Sequence, residues 1–121
     1  MKKILLVEDN EMNRDMLSRR LARKGFEVLL AEDGAEGLKR FQSDMPDLVL
    51  LDLSLPVLDG FQVLRQARED PKTKSIPVIV LTAHAMADDR EKSMELGADD
   101  FDTKPIDLAR LLGKMNDLLD R

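Results

Sequence analysis

Four short and uninterrupted apolar runs recur along the chain, and this pattern restricts the fold more than any other feature. The runs are Ile4-Leu5-Leu6-Val7, Val28-Leu29-Leu30-Ala31, Leu48-Val49-Leu50-Leu51 and Val78-Ile79-Val80-Leu81, with a weaker fifth run around Phe101. Continuous apolarity, in contrast to alternation of apolar and polar residues, is typical of strands that are buried on both faces. The runs therefore predict the strands of a parallel sheet that is covered on both sides.

Helix signals fill the segments between the predicted strands, which are too long for hairpins. Asn10 precedes a helical stretch over 11–24 that Gly25 follows, and Asp33 precedes another stretch over 34–43. Small polar residues cap the starts of helices and glycine commonly ends them. Alternating strands and helices predict a (βα)5 order, and right-handed crossovers then place helices on both faces of a doubly wound, five-stranded parallel sheet.

The last two predicted helices differ in how much apolar surface they offer to the sheet. A stripe at helical spacing near the C-terminus consists of Leu108, Leu111, Leu112, Met115, Leu118 and Leu119. The stretch 86–96 is instead charged and leaves Met86, Met94 and Leu96 as its sizeable apolar residues. We expect the C-terminal helix, which carries the apolar stripe, to dock on the sheet. We expect the helix over 86–96 to be the most loosely packed one. We also expect most of the seven methionines to fill the core.

Composition and charge exclude several classes of protein. The 121 residues are 43% hydrophobic and 36% charged, and this length and composition predict one folded domain over 1–121. The net charge of -5 disfavours direct binding to nucleic acid. The absence of Cys and the single His exclude a disulfide framework and a Cys/His zinc site. The N-terminal apolar run is too short for a signal peptide or a membrane span, so we expect a cytoplasmic protein without membrane contact. We expect the acid run Asp99, Asp100 and Asp102 to be solvated.

Charged and polar residues follow four of the predicted strands, at the carboxyl ends where open α/β sheets bind ligands. Glu8 and Asp9 follow the first strand, Asp52 the third, Thr82 the fourth and Lys104 the fifth. Clustered carboxylates repel one another and suit a hard divalent cation such as Mg2+ or Mn2+. A hydroxyl and an ammonium beside them suit the oxygens of a transferred phosphoryl group, for which Asp52 is the natural acceptor.

Each of these residues also has an ordinary structural explanation. The three carboxylates would serve as helix caps, Thr82 as a β-branched residue that ends a strand, and Lys104 as a solvated charge. Their convergence on one edge of the sheet favours a site over these explanations. His84 has no second His or Cys to accompany it, and we expect it to be an exposed loop residue without a catalytic role.

In this order and spacing the motifs resemble the receiver domain of two-component response regulators, the CheY-like family. They are Ile4-Leu5-Leu6-Val7-Glu8-Asp9-Asn10, Leu48-Val49-Leu50-Leu51-Asp52-Leu53-Ser54-Leu55-Pro56-Val57-Leu58-Asp59-Gly60, Pro77-Val78-Ile79-Val80-Leu81-Thr82-Ala83, Gly97-Ala98-Asp99-Asp100-Phe101 and Lys104-Pro105-Ile106. The resemblance spans essentially the whole chain. It implies a stand-alone receiver with the flavodoxin-like strand order 2-1-3-4-5, which is carried over from the family.

The resemblance implies a metal-assisted phosphoacceptor. Asp52 would accept a phosphoryl group from the phosphohistidine of a histidine kinase or of a histidine phosphotransfer protein in a phosphorelay. Glu8 and Asp9 would hold Mg2+ together with Asp52, and the backbone carbonyl of Ser54 would complete the protein ligands. Ser54 and His84, each two residues beyond a residue of the site, resemble the positions that set the rate of dephosphorylation.

The resemblance also implies a switch. Thr82 and Lys104 would turn toward the phosphoryl oxygens, Ala83 would supply a backbone N–H, and the peptide bond between Lys104 and Pro105 would be cis. Phe101 stands where many receivers have Tyr, and its ring would alternate between buried and exposed positions. Output would then pass through the face made by the fourth helix, the fifth strand and the fifth helix.

We weigh four functions from different classes. The leading hypothesis is a signalling module that docks on a downstream protein. It is not an enzyme, since it catalyses only its own phosphorylation and dephosphorylation. We expect a monomer that could dimerise when phosphorylated. An aspartate phosphatase resembling the haloacid dehalogenase group would need a second Asp where Ser54 stands. A flavodoxin-like nucleotide binder would need glycines or hydroxyls where the acidic loop 8–11 lies. An adaptor that works without phosphorylation stays open.

Overall fold

The five strands lie side by side in one parallel sheet with the order β2-β1-β3-β4-β5, in a computed structural model that describes residues 1–83 and 87–121. The strands are β1 (Lys3–Val7), β2 (Glu27–Ala31), β3 (Leu48–Asp52), β4 (Val78–Thr82) and β5 (Asp100–Thr103). The helices are α1 (Glu11–Arg23), α2 (Gly34–Asp44), α3 (Gly60–Glu69), α4 (Ala87–Glu95) and α5 (Leu108–Leu119). The predicted (βα)5 fold and its strand order are confirmed.

Helices cover both faces of the sheet. The residues of β1 show the division, because Ile4 and Leu6 pack in the cluster that contains the apolar faces of α1 and α5. Leu5 and Val7 point the other way and pack in the cluster that contains the apolar faces of α2 and α3. This double burial explains why the strands read as continuous apolar runs. Across the two described ranges, every helix falls short of the length and apolarity needed to cross a bilayer.

Local capping signals set where the helices begin. The side chains of Asn10, Asp33, Asp59 and Asp107 each accept the backbone N–H three residues further on, at the starts of α1, α2, α3 and α5. Asp59 and Gln62 complete a reciprocal capping box, so the Asp59-Gly60 pair begins a helix and not a hairpin. The predicted helix starts at Asn10 and Asp33 are confirmed.

Helix α4 offers the sheet little apolar surface, as the charged sequence predicts. Ser93 is the only buried residue within 88–95, and its hydroxyl donates to the backbone carbonyl of Asp89 at 2.7 Å. Met94 was expected to be an apolar contact, but its side chain is 43% exposed. The ammonium of Lys92 lies 4.3 Å from the ring centroid of Phe61 and links α4 to α3.

The expectation that most methionines fill the core is wrong. Among the methionines in the described ranges, only Met115 is buried, whereas Met12 on α1 is 72% exposed. The inward positions of α1 are taken by Leu17 and Leu21, so its methionines lie on the outer side. Apolar character alone did not reveal which face of the helix they occupy.

The acid run on β5 is not a solvated edge, contrary to expectation. Asp102 is 3% exposed, and its Oδ1 lies 2.8 Å from an Arg110 guanidinium nitrogen. Asp99 is partly buried, and its Oδ2 accepts from the Arg68 guanidinium and from the backbone N–H of Val78, each at 2.9 Å. The positive partners come from α3 and α5, so the folded chain provides the charge compensation that the local sequence does not show.

Candidate functional site

Three carboxylates meet at the carboxyl edge of the sheet. β1 and β3 are neighbours, with Val7 opposite Leu51, so the next residues along each strand lie side by side. One carboxylate oxygen from each of Glu8, Asp9 and Asp52 lies within 4.8 Å of the others. Glu8 and Asp52 are each 4% exposed, whereas Asp9 is exposed. The cluster therefore has two buried members and one member that faces solvent.

Lys104 reaches across from β5 to two of these carboxylates. Its Nζ donates to Glu8 Oε1 at 2.5 Å and to Asp52 Oδ2 at 3.0 Å. The backbone N–H of Lys104 donates to the Thr82 carbonyl at 2.8 Å, which continues the pairing of β4 and β5 by one residue. The following peptide bond, between Lys104 and Pro105, is cis. The lysine is thus neither a solvated charge nor a distant neighbour of the acids.

The loop after β3 wraps closely around Asp52. The carboxylate Oδ1 of Asp52 accepts the backbone N–H of Ser54 at 3.1 Å, and the Gly60 N–H donates to the Leu53 carbonyl at 3.0 Å. A Cβ atom on Gly60 would lie only 2.4 Å from the Asp52 carbonyl oxygen, so only glycine fits there without displacement. Asp59, not Asp52, caps α3, which removes the simplest structural explanation for Asp52.

The charges of the cluster shift one another's protonation. The pKa of Glu8 is raised from 4.5 to about 7, chiefly by burial and then by the neighbouring Asp52, whose effect exceeds the opposing effect of Lys104. Burial lowers the pKa of Lys104, but its hydrogen bonds and attractions to Glu8 and Asp52 together outweigh this effect and place the pKa above the ordinary value. The lysine therefore stays positive at neutral pH, while Glu8 exchanges its proton near neutrality.

The other predicted site residues lie at the neighbouring strand ends. Thr82 is the last residue of β4 and is 1% exposed, and Ala83 follows it at the surface. Ser54 is exposed in the loop after β3, and its backbone N–H contacts Asp52 as described. Phe101 on β5 is 8% exposed and packs in the cluster on the side of α2 and α3. His84 lies outside the described residues.

Arg14 belongs to this edge of the sheet and was missed by the sequence analysis. Its NH1 donates to the backbone carbonyls of Glu8 at 2.9 Å and Asp9 at 3.4 Å, and its side chain is 11% exposed. It thereby holds the backbone that presents two of the three carboxylates. The sequence contained a signal for it, because Arg14 precedes the buried Leu17 and Leu21 by three and seven residues and so lies on the same face of α1.

Comparison with known proteins identifies the family. Residues 4–116 match the sequence family described as the response regulator receiver domain. The chain belongs to this family and is a receiver domain of two-component response regulators. The receiver domain is 41% identical over 116 residues to response regulator PleD of Caulobacter vibrioides, which covers 96% of this chain and 26% of PleD.

A second relative and a solved structure extend the comparison. The receiver domain is 39% identical over 121 residues to the DNA-binding dual master transcriptional regulator RpaA of Synechocystis, covering 100% of this chain and 50% of RpaA. The chain thus spans about a quarter of PleD and half of RpaA. The receiver domain of sensor histidine kinase PA1611 from Pseudomonas aeruginosa superposes with a TM-score of 0.92 at 33% identity, covering 99% of this chain and 98% of that one. That structure holds a magnesium ion coordinated in its active-site cleft.

Membership of this family favours the signalling hypothesis over the phosphatase and the nucleotide binder. The receiver domain is a signalling module, and its acidic pocket of Glu8, Asp9 and Asp52 could hold a metal ion. The features of the pocket that matter chemically are two buried carboxylates, one exposed carboxylate and a lysine ammonium that bridges the buried pair.

Proposed function

We propose that Asp52 of this receiver domain accepts a phosphoryl group, with Mg2+ or Mn2+ bound beside it, and that the phosphorylated form docks on a downstream protein. One observation carries the proposal. A carboxylate oxygen of Asp52 belongs to the acidic cluster, and Oδ2 of the same side chain contacts the Lys104 ammonium. A buried carboxylate between a cation site and an ammonium is suited to attack phosphorus, because positive charge on both sides offsets the repulsion between two anions.

The donor set of the cluster fits a hard divalent cation. Three carboxylate oxygens lie within 4.8 Å of one another, and one of the three acids faces solvent, which leaves room for metal-bound water. Glu8, Asp9 and Asp52 would hold the ion, with the Ser54 backbone carbonyl as a further oxygen ligand. When bound, Mg2+ would supply positive charge to the oxygens of the transferring group. Arg14 keeps the backbone of Glu8 and Asp9 in place.

The transfer of the phosphoryl group to Asp52 needs no reactant other than the phosphohistidine donor. A carboxylate oxygen of Asp52 forms a bond to phosphorus while the bond from phosphorus to the donor imidazole nitrogen breaks, and the electron pair leaves with the imidazole. The product is an acyl phosphate on Asp52. Lys104, the Thr82 hydroxyl and the Ala83 backbone N–H would bind the phosphoryl oxygens. The donor would be the phosphohistidine of a histidine kinase or of a phosphotransfer protein, and hydrolysis would complete the cycle without an external substrate.

Phosphorylation would change the surface through its added charge. The phosphoryl group carries more negative charge than the carboxylate it replaces and would draw Thr82 and Lys104 toward it. Helix α4 has the least buried apolar surface of the described helices to hold it, so it is the element that moves at least cost. Together with β5, which carries Phe101, and α5, it would form the docking face for a downstream protein.

Acetyl phosphate provides a direct test of the phosphoacceptor. We expect wild-type protein to gain one phosphoryl group by intact mass in the presence of Mg2+ and none with a chelator. Asp52→Asn should gain none under either condition, while Asp117→Asn, which changes an exposed acid on α5, should behave as wild type. Folding of each variant is checked by circular dichroism. A folded wild-type protein that never gains the group with Mg2+ present would overturn the proposal and favour the adaptor.

A further inference from the structure

An ion pair between a buried carboxylate and an exposed guanidinium lies directly behind Lys104. Asp102 on β5 is 3% exposed, and its Oδ1 accepts from Arg110 Nε of α5 at 2.9 Å. The same oxygen accepts the backbone N–H of Thr103 at 2.8 Å, and Arg110 NH2 reaches the Thr103 carbonyl at 3.5 Å. The pair therefore contacts both backbone polar groups of Thr103, the residue that immediately precedes Lys104.

A second cation of α5 holds the other side of Asp102. Lys114 Nζ donates to the Phe101 carbonyl at 2.7 Å and lies 3.8 Å from Asp102 Oδ2. Within the described residues, this Oδ2 is the one buried side-chain nitrogen or oxygen that lacks a hydrogen-bond partner. The backbone on each side of Asp102 is thus fixed from α5, and the carboxylate is placed there without full compensation.

Such a pair is a poor choice if its role is only to stabilise the fold. Desolvation of the Asp102 carboxylate is costly, and solvent around the exposed Arg110 guanidinium weakens the attraction that would offset this cost. A leucine at position 102 would continue the apolar character of the sheet. What Asp102 and Arg110 do in the structure is fix the direction in which the backbone of β5 continues from Thr103 to Lys104.

Lys104 needs that direction to reach its partners. Its backbone N–H is held by the Thr82 carbonyl at 2.8 Å, and its Nζ lies 2.5 Å from Glu8 and 3.0 Å from Asp52. The chain is therefore held by β4 at Lys104 itself and by α5 at the residue before it. A shift of this segment would move the ammonium without moving the carboxylates, which are carried by other strands.

We propose that Asp102, paired with Arg110, is a positioning residue for Lys104 and thereby sets the maximum rate of phosphoryl uptake. This inference rests on the proposed function, because it assigns the pair a role in the same reaction. It does not make Asp102 a catalytic residue, since its contacts are with Arg110, Lys114 and the β5 backbone and not with the acidic cluster.

The test measures phosphoryl uptake from acetyl phosphate by intact mass over a range of Mg2+ concentrations. Asp102→Leu removes the pair and should fold with an unchanged or higher melting temperature. Its maximum rate of phosphoryl uptake at saturating Mg2+ should fall about tenfold, because a small displacement of a group that acts in the reaction lowers the rate strongly. The Mg2+ concentration for half-maximal rate should not change, because Glu8, Asp9 and Asp52 are untouched. Arg110→Gln should lower the rate similarly.

Two further variants complete the design. Asp102→Asn keeps the size of the side chain and an acceptor for the Thr103 N–H, so it decides the question if Asp102→Leu does not fold. Asp117→Asn is the matched acid-to-amide control, since Asp117 is exposed on α5, has no contact with Asp102, Arg110 or Lys114 among the described polar contacts, and should leave the rate unchanged.

Each outcome has a distinct meaning. A lower maximum rate with an unchanged Mg2+ requirement supports the inference. A folded Asp102→Leu or Asp102→Asn protein with the wild-type rate overturns it and leaves the proposed function intact. A rate loss accompanied by a raised Mg2+ requirement also overturns it, because the whole site would then be loosened. Failure of the wild-type protein itself to gain a phosphoryl group overturns the proposed function and this inference with it.

Discussion

Val57 has a φ of 70°, a left-handed conformation that β-branched residues rarely adopt. The backbone N–H of Leu58 donates to the Pro56 carbonyl at 2.8 Å, so the three residues form a γ-turn with a positive φ at its centre. The Val57 side chain is 81% exposed and gains little from packing. The residue therefore costs folding free energy at the loop that leads from Asp52 to α3.

Replacement of Val57 by glycine should relieve this strain. We expect Val57→Gly to raise the free energy of unfolding by about 1 kcal/mol, because the relief of a positive φ at a β-branched residue exceeds the added entropy of the unfolded chain. Urea unfolding monitored by circular dichroism measures the change. Val57→Ala keeps a Cβ at the same φ and should gain less. A Val57→Gly protein that is less stable than Val57→Ala would contradict this explanation.

Glu8 should make the metal-free protein lose stability as the pH rises. Its pKa is 4.5 unfolded and about 7 folded, so between these values the folded state holds more protons than the unfolded state. Folding stability then falls as the pH increases through this window and levels off above it. Glu8→Gln removes this contribution, and its stability relative to wild type should increase by about 2.5 kcal/mol from pH 4.5 to 7. Unfolding by urea with a chelator present measures this difference, and a constant difference would refute the shift.

The residues differ in how far the sequence could predict their surroundings. Asn10 and Asp33 were predictable as caps because a cap bonds a backbone N–H only three residues away. The acids at the strand ends were predictable because parallel strands bring their carboxyl ends to one edge. Asp102 was not predictable, because its burial and its contact with Arg110 arise only when α5 docks on the sheet.

At the scale of elements, the start of α3 is pressed against the end of β3. A Cβ on Gly60 would lie 2.4 Å from the Asp52 carbonyl oxygen and 2.7 Å from the Leu53 Cα, both of which are backbone atoms that cannot rotate away. We expect Gly60→Ala to lower the free energy of unfolding by about 1–3 kcal/mol, because α3 must move away from the strand. Chemical denaturation measures the loss.

Gly113 provides the matched control within a helix. Beyond the neighbouring backbone of its own helix, a Cβ on Gly113 in α5 would meet no atom within 4 Å. Gly113→Ala should therefore raise the free energy of unfolding by about 0.5–1 kcal/mol, since alanine favours the helix over the unfolded chain. Similar effects of the two substitutions would show that close approach at Gly60 does not constrain α3.

Helix α4 should exchange its amide hydrogens faster than α5. Ser93 is the only buried residue within 88–95, whereas Leu111, Met115 and Leu118 of α5 are all buried. Few buried apolar contacts allow a helix to open at a lower free energy than global unfolding. Hydrogen exchange followed by mass spectrometry measures this, and equal protection in the two helices would contradict a loosely held α4.

At the scale of the whole molecule, the sequence predicted the sheet and its helices because each strand is buried on both faces. The alternating order of elements followed from the periodicity, whereas the strand order was carried over from the resemblance and is observed. The outward methionines and the buried acid of β5 were wrongly predicted. Residue type alone does not show which side of a helix or strand a side chain occupies, or which cation of another element compensates it.

The most direct test of Asp52 as the phosphoacceptor is to locate the phosphoryl group on the chain. Borohydride reduces an acyl phosphate of aspartate to homoserine, and tandem mass spectrometry of proteolytic peptides then reads the modified position. After incubation with acetyl phosphate and Mg2+, we predict homoserine at Asp52 and at no other aspartate, with none formed in the presence of a chelator. Homoserine at a different aspartate, or a phosphorylated protein that yields none, would contradict the assignment of Asp52 as the phosphoacceptor.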